Sequence, residues 1–150
     1  MSPNQWGPPI WTFFHTLAEK INEDKFQELF PLLFNFIRRI CGVLPCPECS
    51  QHAITFLSKI NSSGIKNKDD FRNIIFIFHN SVNQRKNKPA FKIENVSSLY
   101  SNINIINAYN NFISVFHTKG NMKLLAETFQ RKIVLQEFRR WFMHNIRFFL

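Results

Sequence analysis

Apolar residues recur at three- and four-residue steps through most of this chain, and that spacing constrains it to pack as helices. Between Asp24 and Ile40 they fall at Phe26, Leu29, Phe30, Leu33, Phe36, Ile37 and Ile40, one stripe of a helix and not the alternating faces of a strand. The same step brings Ile10, Trp11, Phe14, Leu17, Ala18 and Ile21 to one face after Pro8-Pro9, which is expected to open the first helix. Pro31 is expected to sharpen the start of the second helix, and Gly42 and Pro45 to end it. A third helix should begin at Cys46 and turn Ala53, Ile54 and Leu57 inward. Asp69 or Asp70 can cap a fourth, whose stripe is Phe71, Ile74, Ile75, Phe78 and Val82 and which should stop before Pro89. A shorter fifth helix is expected from about Val96 into the Ile103 to Ile113 region. A break at Lys119-Gly120-Asn121 and a last helix from Met122 to about Arg147 complete the reading. The simplest architecture is an all-α, four-helix bundle with a short fifth helix and a C-terminal helical extension.

At 150 residues the chain is one domain in size. Its 45% hydrophobic content, with 18 Phe and only 4 Gly, describes a compact core and not a disordered segment. The net charge of +9 invites a phosphate-bearing partner. The cations are however dispersed over Arg38-Arg39, Lys66 to Lys68, Arg85 to Lys92 and Arg131 to Arg147, with no groove-reading motif among them. A solvated basic surface that helps hold an anionic ligand is expected, and nucleic acid is not. Neither a secretory leader nor a run near the ~18 apolar residues of a membrane span is visible. A cytoplasmic protein without a membrane span is therefore expected.

Chemistry concentrates at Cys46-Pro47-Glu48-Cys49, at the expected start of the third helix. Two cysteines so spaced can close a small disulfide, and a helix N-terminus stabilises a thiolate, giving such motifs pKa values of roughly 3.5–7.5. Zinc is the other use of the same atoms, since Cys41, Cys46, Cys49 and His52 could supply four ligands. No second CxxC is present to pair with the first, although both readings stand at this point. With three cysteines in all, Cys41 is left over, and a buried free thiol is its simplest role.

A redox dithiol needs an electron carrier, and two clusters have the chemistry to bind one. Trp11 and His15 are neighbours on one helical face. His79-Asn80-Ser81-Val82-Asn83 is followed by Arg85, Lys86 and Lys88. Flat rings suit a flat heterocycle, amides its polar edge, and cations a pyrophosphate. A Trp and a His on such a helix also serve as ordinary core residues.

Taken together, the blocks resemble a known family. Trp6-Gly7, Trp11-xxx-His15, Leu44-Pro45-Cys46-xx-Cys49, Phe78-His79-Asn80-x-Val82-Asn83, Lys88-Pro89 and Tyr100 are similar, in residue type and in order, to the Erv/ALR flavin-linked sulfhydryl oxidases, and to the short forms of large DNA viruses in particular. The resemblance implies a small helical bundle that grips FAD at its mouth, usually as a homodimer. It implies that Gly7, Trp11 and His15 pack around the adenine end. His79, Asn80, Val82 and Asn83 would form the principal FAD-binding helix, Lys88 would be the phosphate-side lysine, and Tyr100 would close over the adenine; Lys86, in the same cationic cluster, is expected to bind the cofactor as well. Cys49 would stand next to the isoalloxazine and Cys46 would be the exposed interchange cysteine. The implied reaction takes electrons from a protein dithiol through the CxxC to FAD and on to O2, giving H2O2.

The chain departs from the family where Asn4 replaces a frequent arginine, and where no cysteine follows Cys49 to form a long-spaced structural disulfide or a shuttle pair. Electrons are therefore expected directly from a separate dithiol protein, such as a thioredoxin-like carrier. The resemblance covers residues 1–100, expected to be the FAD-binding core. Residues 101–150, with Phe138, Trp141, Phe142, Ile146 and Phe149 on an apolar face, are expected to pack on that core or at a dimer interface.

Overall fold

The computed structural model describes residues 3–116 and 125–150. Among these residues there are seven α-helices and no strand: α1 (Pro3–Lys20), α2 (Phe26–Cys41), α3 (Pro47–Ser58), α4 (Lys68–Arg85), α5 (Val96–Tyr100), α6 (Ile105–Phe116) and α7 (Leu125–His144). Helix α1 packs on α4, α5 and α6, while α2 packs on α3 and α7. The expected break at Lys119-Gly120-Asn121 and the helix start at Met122 lie outside the described residues.

Phenylalanine fills the interior. Phe26 stacks on Phe30 and Phe30 on Phe34 along α2, with Phe71 of α4 edge-on to Phe30. Phe13 of α1 stacks on Phe112 of α6 and meets Phe138 and Phe142 of α7 edge-on. Fully burying one such ring stabilises the fold by about 1.5–3 kcal/mol. Of the apolar face expected at the C-terminal end, Phe138, Phe142 and Phe149 are inaccessible to solvent, while Trp141 and Ile146 are half-buried against the same core.

Several local expectations are corrected. Helix α1 begins at Pro3, not at Pro8-Pro9, which lie within it. The two prolines forfeit helical bonds to the carbonyls of Asn4 and Gln5. Trp6 and Ile10, four residues apart and both buried, hold the added turn against the core. Pro31 likewise sits inside α2, where the Gln27 carbonyl it leaves unpaired is on the exposed side. In α3 the inward face runs through Cys49, Ala53 and Leu57, which turns Ile54 outward at 46% exposure.

Helix α4 is capped by Asn67, whose Oδ1 accepts the Asp70 N–H at 2.9 Å. Asp70 accepts the Lys66 N–H at 2.9 Å, so it fixes the residue before the cap and is not the cap itself. The single fifth helix expected from Val96 onward is two. Asn104 Oδ1 accepts the N–H groups of Ile106 and Asn107 and starts α6 afresh.

Candidate active site

Cys46 and Cys49 are joined by a disulfide. Cys46 is the N-cap of α3, Pro47 follows where a helical N–H is not needed, and the Cys46 sulfur accepts the Cys49 N–H at 3.2 Å. The preceding loop is tied back by Leu44 N–H to Ser50 Oγ at 2.9 Å. The two sulfurs differ in access: Cys46 is half-buried, whereas Cys49 is 8% exposed and faces inward. A thiolate released at Cys46 would meet the free N–H groups and positive end of α3.

Behind Cys49 a cleft runs between α1, α3 and α4. Its inner part, about 40 Å³, is narrow and walled by Cys49, Ala53, Trp11, Phe14, Phe78 and Val82. Its outer part, about 470 Å³, is walled by His79, Asn83, Lys86, Lys88, Phe91 and Tyr100. Gly7, Trp11, Val82 and Lys86 line both parts, so the two adjoin between the inner sulfur and Tyr100. Apolar rings dominate the sulfur end and amines the outer lip. Burial, together with Lys88 and Arg85, lowers the Lys86 pKa from its ordinary value. Lys86 lies over the Trp6 ring and Lys88 donates to Asn4 Oδ1, so among the described residues neither amine is paired with a carboxylate, which favours an anionic ligand beside them.

Two histidines meet at the cleft, His79 in its wall and His15 buried behind it. His15 Nε2 and His79 Nδ1 are 2.9 Å apart in a hydrogen bond, so one ring nitrogen donates and the other accepts. His79 stacks on Trp11, with ring centres at 4.2 Å, and His15 stacks on Tyr100 at 4.3 Å. Burial holds the His15 pKa at about 4. Burial, aided by His15 and Lys88, holds that of His79 at about 3. Both rings are therefore neutral at physiological pH; His79 presents a flat wall to the cleft and His15 holds it from behind.

Of the residues singled out in the sequence, Gly7, Trp11, His79, Val82, Asn83, Lys86, Lys88, Tyr100 and Cys49 line this one cleft. Two stand behind its wall. His15 is buried under Tyr100, and Asn80 turns away, its Oδ1 accepting the Phe91 N–H at 2.8 Å and its amide donating to the Phe91 carbonyl at 3.3 Å. Asn80 thereby fixes the loop that carries Phe91 edge-on to His79. Phe91 and Trp6 were not picked out as wall residues. Phe91 lies in a loop with no periodicity to flag it, whereas the Trp6-Gly7 pair was a usable signal. Cys41 also borders the inner part, and burial pushes its thiol up to about 12.

Two observations point to a ligand here. Gly7 lies inside α1 with helical neighbours, where glycine costs roughly 0.5–1 kcal/mol relative to alanine. No left-handed backbone requires it, and a Cβ built on it meets nothing within 4 Å. The space it leaves open belongs to the cleft. The Trp6 indole N–H, buried beside the same cleft, has no hydrogen-bond partner among the described residues. Metal binding finds no such support: Cys46 and Cys49 are bonded to each other, and His52 Nε2 is hydrogen-bonded to Ser81 Oγ at 3.2 Å. No three His, Cys, Asp or Glu side chains converge among the described residues.

Residues 8–101 match the model of the Erv1 / Alr family, and this span contains the CxxC and most of the cleft wall. The chain belongs to that family. Among relatives, it is 30% identical over 101 residues to the putative FAD-linked sulfhydryl oxidase 096R of Invertebrate iridescent virus 3, covering 67% of this chain and 68% of that protein. It is 33% identical over 99 residues to the FAD-linked sulfhydryl oxidase of African swine fever virus, covering 63% and 79%. A plant relative, FAD-linked sulfhydryl oxidase ERV1 of Arabidopsis thaliana, is 26% identical over 97 residues, covering 65% and 50%. No solved structure gives a significant match. No helix among the described residues is long and apolar enough to cross a membrane.

Proposed function

We propose that this Erv1/Alr protein is an FAD-dependent thiol oxidase that forms disulfides in protein dithiols. The observation that carries the reading is a CxxC disulfide whose inner sulfur closes one end of an aromatic cleft with a cationic outer lip. Trp11, Phe78 and Val82 would hold the flavin's ring system beside Cys49. Lys86 and Lys88 would take the pyrophosphate, and Tyr100, His79 and Asn83 the adenosine end. Bound there, FAD would supply a two-electron acceptor for the reduced cysteine pair, with O2 as the final oxidant and H2O2 as the product.

The cysteines do the exchange chemistry. A substrate thiolate attacks the more accessible Cys46 sulfur; an S–S bond forms between them, the Cys46–Cys49 bond breaks, and Cys49 departs as a thiolate into the cleft. The substrate's second thiolate then attacks the substrate sulfur of this mixed disulfide and expels Cys46. The substrate leaves oxidised by two electrons, which now reside on the Cys46 and Cys49 thiolates, and the protons of its two thiols pass to solvent. Cys46 is expelled at the α3 N-terminus, where unpaired helix N–H groups and the positive end of the helix favour a thiolate. A dithiol protein of thioredoxin-like type and a homodimeric assembly belong to the same proposal.

The purified protein should be yellow. A Cys49→Ser variant should stay yellow and lose dithiol-dependent O2 consumption, because of the two paired sulfurs only that of Cys49 borders the cleft. Wild-type turnover by that variant would refute the assignment.

A further inference from the structure

The loop that delivers Cys46 is held by a bond from a distant part of the chain. Val43 N–H donates to the Ile40 carbonyl, Leu44 N–H to Ser50 Oγ, and Ser50 N–H to the Cys46 carbonyl, all partners within α2 and α3 or beside them. The Val43 carbonyl instead accepts Nε–H of Arg131, on α7, at 2.6 Å. Arg131 is 5% exposed, and its guanidinium lies over the Phe116 ring at 5.5 Å. Burial lowers its pKa from the ordinary value. Residue 131 is 88 positions from its acceptor and beyond the span that matches the family model.

We infer that Arg131 is a positioning residue for the redox pair: by tying Val43 to α7 it keeps the loop in the geometry in which Cys46 and Cys49 meet, and so favours the disulfide over the dithiol. The physical reason is an asymmetry between the two redox states. In the oxidised protein the S–S bond adds its own hold on the loop; in the reduced protein the loop is left to its hydrogen bonds and to the packing of Val43 and Leu44 against the core. Removing the tether frees the reduced loop more than the oxidised one, which lowers the effective concentration of one thiol at the other. A desolvated guanidinium donating to a carbonyl is among the stronger protein hydrogen bonds, so its loss should be felt. Two further contacts keep α7 and the chain end seated: Arg39 pairs with Glu137 at 2.6 Å, and Asn22 N–H donates to the Phe148 carbonyl at 2.7 Å. An apolar replacement therefore leaves the helix docked.

The inference rests on the proposed redox role of the pair, and its test separates the two. Flavin-loaded wild type, Arg131→Met and Arg131→Lys are equilibrated without oxygen in glutathione buffers and acid-quenched, and thiols at positions 46 and 49 are counted by mass spectrometry. The flavin spectrum and melting temperature are read on the same samples. Arg131→Met should make the pair three- to tenfold easier to reduce, the upper figure corresponding to ~30 mV, and Arg131→Lys should fall between it and wild type. A Phe116→Leu control, which loosens the packing without touching the Val43 bond, should leave the equilibrium within twofold. A shift below threefold in Arg131→Met, or an equal shift in Phe116→Leu, overturns the inference whatever the flavin spectrum shows. Should Arg131→Met fail to fold, Arg131→Lys decides alone: a shift of at least twofold toward reduction supports the tether, and none overturns it. Absence of bound flavin would instead sink the oxidase reading, while the thiol count would still test Arg131.

Discussion

Replacing Gly7 with alanine should push stability and ligand affinity in opposite directions. Gly7 sits within α1, its backbone is helical, and the added Cβ meets no atom within 4 Å. Nothing in the protein itself opposes the methyl group. Alanine should therefore stabilise the flavin-free protein by roughly 0.5–1 kcal/mol, the ordinary helix preference. For a chain of this size that is a rise of about 1–4 °C in melting temperature. The same methyl group stands in a cleft wall shared by the inner and outer parts. A flavin filling that space must move or lose contact. Overpacking of this kind costs about 1–3 kcal/mol, a loss of affinity from about fivefold to over a hundredfold. Calorimetric melting of flavin-free Gly7→Ala gives the first quantity, and titration with FAD followed by flavin fluorescence gives the second. A stabilised variant that binds FAD as tightly as wild type would show that the ligand does not approach Gly7. A destabilised variant would refute the reading that the glycine is there for space alone.

Two further outcomes follow from the buried titratable groups. His15 and His79 take up protons near their ordinary 6.5 when unfolded but are held to about 4 and about 3 in the fold. Stability should be full above pH 6.5 and fall as pH drops toward 4, because there the unfolded chain binds protons that the folded chain refuses; urea midpoints that stay flat across this range would contradict the neutral pair. The Cys41 thiol, buried and raised to about 12, should resist iodoacetamide in the native protein and react only on denaturation. Mass mapping of the alkylated chain after mild reduction should find label at Cys46 first; rapid labelling of Cys41 would show that its burial is not maintained.

The helical class was legible in the three- and four-residue steps of α2 and α4, because burial of one stripe is a local property of the sequence. Boundaries were less legible. Two prolines suggested that α1 begins at Pro8, but the buried Trp6 and Ile10 repay the carbonyl bonds lost to them. Asn67, and not either of the neighbouring aspartates, caps α4, since which of several adjacent polar residues becomes the cap depends on where the first turn is packed. Ile54 illustrates the same limit: helical spacing offers neighbouring faces, and only the partner helix selects one.

The sequence alone determined that the chain is helical, that it carries a dithiol at a helix start, and that rings, amides and amines suited to a flavin nucleotide recur in a family's order. These follow from residue types and short spacings. Tertiary structure alone decided which sulfur faces inward, that His15 and His79 share a proton-poor hydrogen bond, that Asn80 secures a loop away from the cleft, and that an arginine from α7 grips the redox loop. Each of these joins or buries groups through packing between helices, and no local pattern in a chain encodes which distant surface will desolvate a given side chain.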